Sequence, residues 1–247
     1  LRIPRIYTDS DLDTQHSVDL EAKAHKHLKD ALRMKPGDSV ILFNGNGNDY
    51  QGTIKEISKK VLRIDIKEAK SINNESKLEL HLLQPLCSSE KLDLCIQKAT
   101  ELGVKTIIPF VSSRVNINIA SNRLEKKMSH WQSVIQSACE QSGRARLPAM
   151  HTPVSFSDAV CKIADAEIKI IASPYADKQE NLTIKETTNC VCAIGPEGGF
   201  TQQEINHAIQ LGFNTIRIGP RILRLETAVI SALTLCQFSW GDFSRQA

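Results

Sequence analysis

The first third of the chain alternates apolar and polar positions with a period of two. Between Asp38 and Ile66 the runs SVILF, YQGTIKEI and VLRIDI are separated by the turn clusters NGNGN and SKK. That spacing predicts three short strands of a β-meander, because every second side chain of a strand faces the same side. Ahead of the meander a helix is predicted over roughly Leu20 to Met34, stopped at Pro36 and Gly37. The polar stretch SINNES, Ser71 to Ser76, has no periodicity and reads as a linker, which puts a domain boundary near residue 72.

Beyond the linker the period changes. The strand-like runs LELHLLQP, VKTIIPF, AEIKIIAS, CVCAIG and NTIRIG alternate with helical stretches, the signature of an α/β domain with a mostly parallel sheet. In SSEKLDLCIQKATELG, the residues Leu92, Cys95, Ile96, Ala99 and Leu102 recur at helical spacing, and Gly103 is placed to end the helix. A long helix is predicted from about Arg123 to Gln141, with Trp131, Val134, Ile135 and Ala138 on one face. The last helix, Glu226 to about Phe238, is apolar nearly all round, so the rest of the domain or a second subunit must cover most of it.

Composition narrows the class without naming a partner. At 247 residues and 41% hydrophobic content the chain can build a real core. Its 31 Lys and Arg against 28 Asp and Glu leave +3 overall, so a nucleic acid would have to be met by local basic patches. Seven cysteines without a C-x-x-C pair argue against a disulfide framework or a zinc ribbon. His25 and His27 stand two apart on the predicted helix and face different ways, so no metal site is expected. No apolar run approaches the roughly 18 residues of a membrane span, and LRIPRIYTDS lacks a secretion signal, so a soluble cytoplasmic protein is expected.

Two strand ends could carry chemistry. After CVCAIG comes a turn containing Gly195, Pro196, Glu197, Gly198 and Gly199, and then Thr201 and Glu204 in capping-box relation. Ligands of open α/β sheets bind beyond the carboxyl ends of the strands, where glycines allow close approach. The turn is neither G-x-G-x-x-G nor a phosphate loop and has no lysine, so a nucleoside or amino-acid ligand suits it better than a phosphate chain. A tight strand-to-helix connection explains it equally well. One unit later IGPRILRLETA repeats the design, with Gly219 and Pro220 followed by Arg221 and Arg224. Taken singly, these arginines fit surface charge or an ion pair with Glu226 better than a site.

The segments LLQPLCSSEKLDLCIQKATELGV, WQSVIQSACEQSGRARLP, IGPEGGFTQQE and IGPRILRLETA, in that order, resemble the SPOUT-class ribosomal RNA small subunit methyltransferase E family. The opening RIPRIY and the KPGD turn resemble its small N-terminal PUA-like β-barrel, so the likeness spans nearly the whole chain. It implies an RNA-binding barrel over residues 1–72 and a catalytic domain over 73–247. It further implies a deep trefoil knot, S-adenosyl-L-methionine as cofactor, a homodimer, and N3 of a uridine in 16S ribosomal RNA, free or in the 30S subunit, as acceptor. Carried over residue by residue, the cofactor would meet Gly195, Pro196, Glu197, Gly198, Gly199, Ile218, Gly219, Leu223, Leu225 and Ala228, with Leu83 and Gln84 as weaker candidates.

Uracil N3 holds a proton at neutral pH, so methylation needs that proton removed or the charge left on the flanking carbonyls stabilised. A guanidinium suits the second task. Arg224 is the expected donor to the uracil oxygen and Arg221 its neighbour on the RNA backbone; Glu197, Glu226 and solvent are the candidate proton acceptors. Arg2, Arg5, Arg144 and Arg146 are candidates for RNA contact, and for Arg2 and Arg5 plain solvated charge fits as well. A SPOUT enzyme with another RNA target or atom, and a catalytically silent RNA-binding or ribosome-assembly protein, are the alternatives.

Overall fold

The computed structural model describes residues 3–14, 16–20, 28, 33–58, 61–114, 121–174 and 187–243. Most of the helix predicted over Leu20 to Met34, with His25 and His27, lies outside these residues, as does Arg2. The chain forms two compact units: residues 1–75 with 136–147, and residues 76–135 with 148–247. The passage from one to the next falls within the polar SINNES stretch.

The first unit is built on a five-stranded sheet in the order β1-β3-β4-β5-β2. Its strands are β1 (Arg5–Tyr7), β2 (Ser17–Asp19), β3 (Ser39–Phe43), β4 (Asn48–Ile57) and β5 (Leu62–Ser71). β3, β4 and β5 are the antiparallel meander that the period-two pattern predicts. Leu62, Ile64 and Ile66 of β5 enter the core with Val40, Leu42 and Ile54. β1 joins β3 in parallel and β2 closes the other edge against β5. Three-residue strands are too short for periodicity to reveal.

The second unit holds a seven-stranded sheet. Its path is β12-β10-β11-β6-β7-β8, with β9 also on β7, and every described pairing is parallel. The strands are β6 (Glu79–Pro85), β7 (Thr106–Val111), β8 (Ala149–Met150), β9 (Val154–Ser155), β10 (Ile168–Ala172), β11 (Asn189–Ile194) and β12 (Asn214–Ile216). β6, β7 and β11 are near-continuous apolar runs because helices cover both faces of a parallel sheet. The helices are α1 (Ser89–Glu101), α2 (Ser121–Ser142), α3 (Phe156–Lys162), α4 (Gln202–Gln210) and α5 (Leu225–Trp240). Leu92, Cys95, Ile96 and Ala99 of α1 are buried at the spacing read from the sequence. α2 is the long helix, and its end from Gln136 belongs to the first unit.

Candidate active site

Register builds the site. Ala172, the last residue of β10, pairs with Ile194 at the end of β11 on one side and with Ile216 at the end of β12 on the other. The three strands are parallel, so the loops after Ile194 and Ile216 leave the sheet at one level and flank Ala172 to Pro174. Two adjoining cavities open there. The larger, about 630 Å³, is walled by Gly195 to Phe200 and by Ile222, Leu223, Leu225 and Ala228. The smaller, about 340 Å³, is walled by Ser173, Arg217, Ile218, Gly219 and Arg221. Ala172, Pro174, Leu223 and Ala228 line both, so the two glycine loops face one space.

Each loop is fixed locally. Gly199 N–H donates to Pro196 O at 2.8 Å, closing a turn that leaves Gly199 at φ +69°. Gly219 sits at φ +71° in the second loop. A side chain at either position would be forced into the left-handed region that L-residues avoid. At Gly195 an added Cβ would lie 3.3 Å from the Phe200 ring. The capping box read from the sequence is formed, since Thr201 Oγ1 accepts from Glu204 N–H while the Glu204 carboxylate accepts from Thr201 N–H at 2.7 Å.

Glu204 does more than cap α4. Its other oxygen accepts from Ser113 N–H at 2.9 Å, tying the loop after β7 to the glycine turn. Burial pushes its pKa up, but the N–H donors of Thr201 and Ser113 outweigh that and hold it below the ordinary 4.5. A lowered carboxylate pKa stabilises the fold above the unfolded value and is lost as pH falls through the folded one. Glu204→Gln is therefore expected to lower stability by about 1–2 kcal/mol above pH 5. The gap to wild type should close as pH falls below the ordinary 4.5 and through the lowered folded value, which urea titrations across pH will test.

The candidate residues divide. Gly195 to Gly199, Ile218, Gly219, Leu223, Leu225, Ala228 and Arg221 line the cavities. Arg224 lines neither, although Leu223 and Leu225 on either side of it do. It is the exposed N-cap residue of α5, with no hydrogen bond from its side chain to the helix. Leu83 and Gln84 are fully buried in β6 and line neither cavity, because β6 is an interior strand flanked by β11 and β7. Glu197 forms an ion pair with Lys91, which raises the lysine pKa through that hydrogen bond. Glu226 Oε2 is buried without a hydrogen-bond partner.

In the first unit, Arg5 and Arg144 are held in ion pairs with Asp49 and Glu75, each guanidinium side chain 7% exposed. Arg146 is exposed and lies against Gly47. Sequence reasoning missed Ala172 to Pro174, Phe200, Ile222, Lys91, Arg114 and Arg217. Register and long-range contact bring Ala172 to Pro174, Lys91 and Arg114 to the loops, which spacing cannot show, whereas Phe200, Ile222 and Arg217 adjoin or lie within the loops in sequence.

Besides Ser173, Glu197, Phe200, Arg217 and Arg221, the cavity walls are glycine peptide groups, prolines and aliphatic side chains, a lining that suits a ligand with an amino-acid and a nucleoside moiety, such as S-adenosylmethionine. All seven cysteines are free, and burial pushes the thiols of Cys87 and Cys95 up to about 12 and that of Cys139 to about 11, so none of these three is activated. Among the described residues no group of three or more His, Cys, Asp or Glu could hold a metal ion, and no helix is long and apolar enough to cross a membrane.

Comparison with known proteins gives this geometry a context. Residues 74–237 match the RNA methyltransferase domain family and residues 20–67 the RNA methyltransferase PUA domain family. The chain is 38% identical, over 98% of its length and 99% of the relative's, to the ribosomal RNA small subunit methyltransferase E of Buchnera aphidicola subsp. Schizaphis graminum. The enzyme of that name from Neisseria gonorrhoeae, solved with S-adenosylmethionine, superposes with a TM-score of 0.90 at 33% identity, covering 98% of this chain and 100% of that one. A Legionella pneumophila protein solved with the same cofactor gives 0.92 at 34% identity, with the same coverage.

Proposed function

Because the chain belongs to the ribosomal RNA small subunit methyltransferase E family, we propose that it methylates N3 of a uridine in 16S ribosomal RNA with S-adenosylmethionine as donor. The observation that carries this is the convergence of both glycine loops on one cavity beside Ala172. Residues Gly195 to Gly199, Ile218, Gly219, Leu223, Leu225 and Ala228 would hold the donor, mostly through backbone groups. A trefoil knot formed around these loops is part of the proposal. So are the division of labour between an RNA-binding barrel over residues 1–72 and a catalytic domain over 73–247, and action in the cytoplasm.

Bound S-adenosylmethionine supplies an electrophilic methyl group on a sulfonium. The chain's own residues must then deal with the acceptor. A uridine stacked in a helix cannot enter the cavity, so the target base is taken unstacked or flipped. Arg224, exposed beside the lining residues Leu223 and Leu225, is assigned to the uracil oxygen where charge develops, and Arg221 to the adjoining RNA. Of the two carboxylates, Glu197 lines the larger cavity and is paired with the exposed Lys91, while Glu226 lines neither cavity and has Oε2 buried, so Glu197 or solvent is assigned as proton acceptor. The deciding experiment is methylation of 16S RNA and of 30S particles in vitro with the product nucleoside identified. A gain of 3-methyluridine on either substrate supports the assignment. A methyl on another atom or RNA points to a different specificity, and none at all despite cofactor binding to a silent binder.

A homodimer completes the proposal. One face of α5, with Val229, Ala232, Leu233 and Cys236, is buried on α1 and β11. The opposite face leaves Ile230, Leu235 and Phe238 uncovered, Phe238 by 62%, a stripe that a second copy of the helix would bury. Phe238→Glu is expected to shift the mass seen by sedimentation from dimer to monomer. A wild type already monomeric at micromolar concentration would rule this surface out as a stable interface.

A further inference from the structure

Each glycine loop is held by an arginine, one reaching across from the loop after β7 and one at the head of its own loop, where it also lines the smaller cavity. Arg114, in the loop after β7, donates from Nη1 to the carbonyl of Gly198 at 2.7 Å. Arg217, directly after β12, donates from Nε to the carbonyl of Gly219 and from Nη2 to that of Pro220, each at 3.1 Å. Separate parts of the chain thus meet the same need. We propose that Arg114 and Arg217 are positioning residues for the methyl donor, fixing the peptide planes of the two loops so that their geometry is set before the cofactor arrives. This inference rests on the cofactor assignment above.

The physical reasoning starts from the planar peptide, in which a carbonyl and the following N–H point in opposite directions. Anchoring Gly198 O therefore also orients Gly199 N–H, whose bond to Pro196 O closes the turn. In the second loop Pro220 has no N–H to give, so the chain there has one donor fewer for securing itself. The fork of Arg217 holds two successive carbonyls across that gap. Both guanidiniums are exposed, and both donate to neutral carbonyls rather than to a carboxylate. Arg114 is itself steadied from the preceding residue, since Ser113 N–H is held by Glu204. Glycine loops are entropically costly to order, so a clamp that orders them beforehand raises affinity; Arg114, which lines neither cavity, does so without touching the ligand, whereas Arg217 also stands on the wall of the smaller one.

The test is calorimetric binding of S-adenosylmethionine to the full chain in the absence of RNA, with thermal unfolding recorded alongside. Arg114→Ala and Arg217→Ala are each expected to weaken binding about tenfold, the effect of losing one or two hydrogen bonds that order a loop. Arg114→Lys should recover most of the loss, since one ammonium can reach one carbonyl. Arg217→Lys should recover less, since a point charge cannot reproduce the fork. Wild-type binding with unchanged affinity in both alanine variants would overturn the inference while leaving the cofactor assignment intact. Absence of binding by the wild type would overturn both. Variants that bind cofactor normally but show weaker RNA binding with a flatter salt dependence would make the two arginines phosphate contacts instead.

Discussion

Arg224→Ala is expected to lower kcat by about 10²- to 10³-fold, roughly 3–4 kcal/mol of barrier, while leaving the affinity for S-adenosylmethionine within about twofold. The reason lies in where the arginine stands. The N-cap of a helix favours Ser, Thr, Asp or Asn, whose side chains accept from the first free N–H groups. Arg224 has no acceptor to offer and puts a cation at the positive end of the α5 dipole. Both effects disfavour an arginine there, so its presence is not explained by stability. Replacing it should leave the melting temperature unchanged or slightly raised, which separates a chemical loss from a folding loss. Arg221 supplies the contrast. It lines the smaller cavity, so Arg221→Ala should act more on binding than on turnover. A drop in kcat of less than about tenfold, or 1.4 kcal/mol, for Arg224→Ala would remove it from the catalytic role.

What could be read beforehand follows from the range of the interactions concerned. Helix α1 and the capping box of α4 depend on residues three or four apart, and both stand where the spacing puts them. The meander follows from period two and local turns. β5 runs on through the polar KEAKS to Ser71, where alternation had already ended, because β4 is there to pair with it. The two glycine loops could be suspected of sharing a site from their similar design. That they do so depends on Ala172 pairing with both Ile194 and Ile216, a relation between strands with no trace in local spacing. Arg114 and Gly198 are likewise 84 residues apart.

Arg5 is the sharpest case of that limit. An arginine near the start of a basic-looking segment invites a role in phosphate contact, yet its guanidinium is almost entirely engaged inside the first unit. Nε and Nη2 bind both oxygens of Asp49, at 3.0 and 2.6 Å for the shortest contacts, while Nη1 donates to Cys139 O at 2.7 Å and Nη2 to Arg144 O at 3.1 Å. The guanidinium carbon also lies 4.0 Å from the centre of the Phe43 ring. Few of the five guanidinium donors are left for RNA.

Arg5→Ala is therefore expected to destabilise the first unit by about 3 kcal/mol, the cost of leaving a partly buried carboxylate and two carbonyls without their donor. Arg5→Lys should recover little of it, because one ammonium cannot serve a bidentate carboxylate and two carbonyls at once. Both tryptophans, Trp131 and Trp240, lie in the second unit and report on it rather than on this one. Amide hydrogen exchange along β3 to β5 is thus the measurement of choice, and protection there should fall while exchange in β6 and β11 holds. The salt dependence of RNA binding by the folded fraction should keep its slope, since no phosphate contact has been lost. A loss of stability below about 1 kcal/mol combined with a flatter salt slope would return Arg5 to the RNA-binding surface and leave Asp49 to be satisfied by solvent.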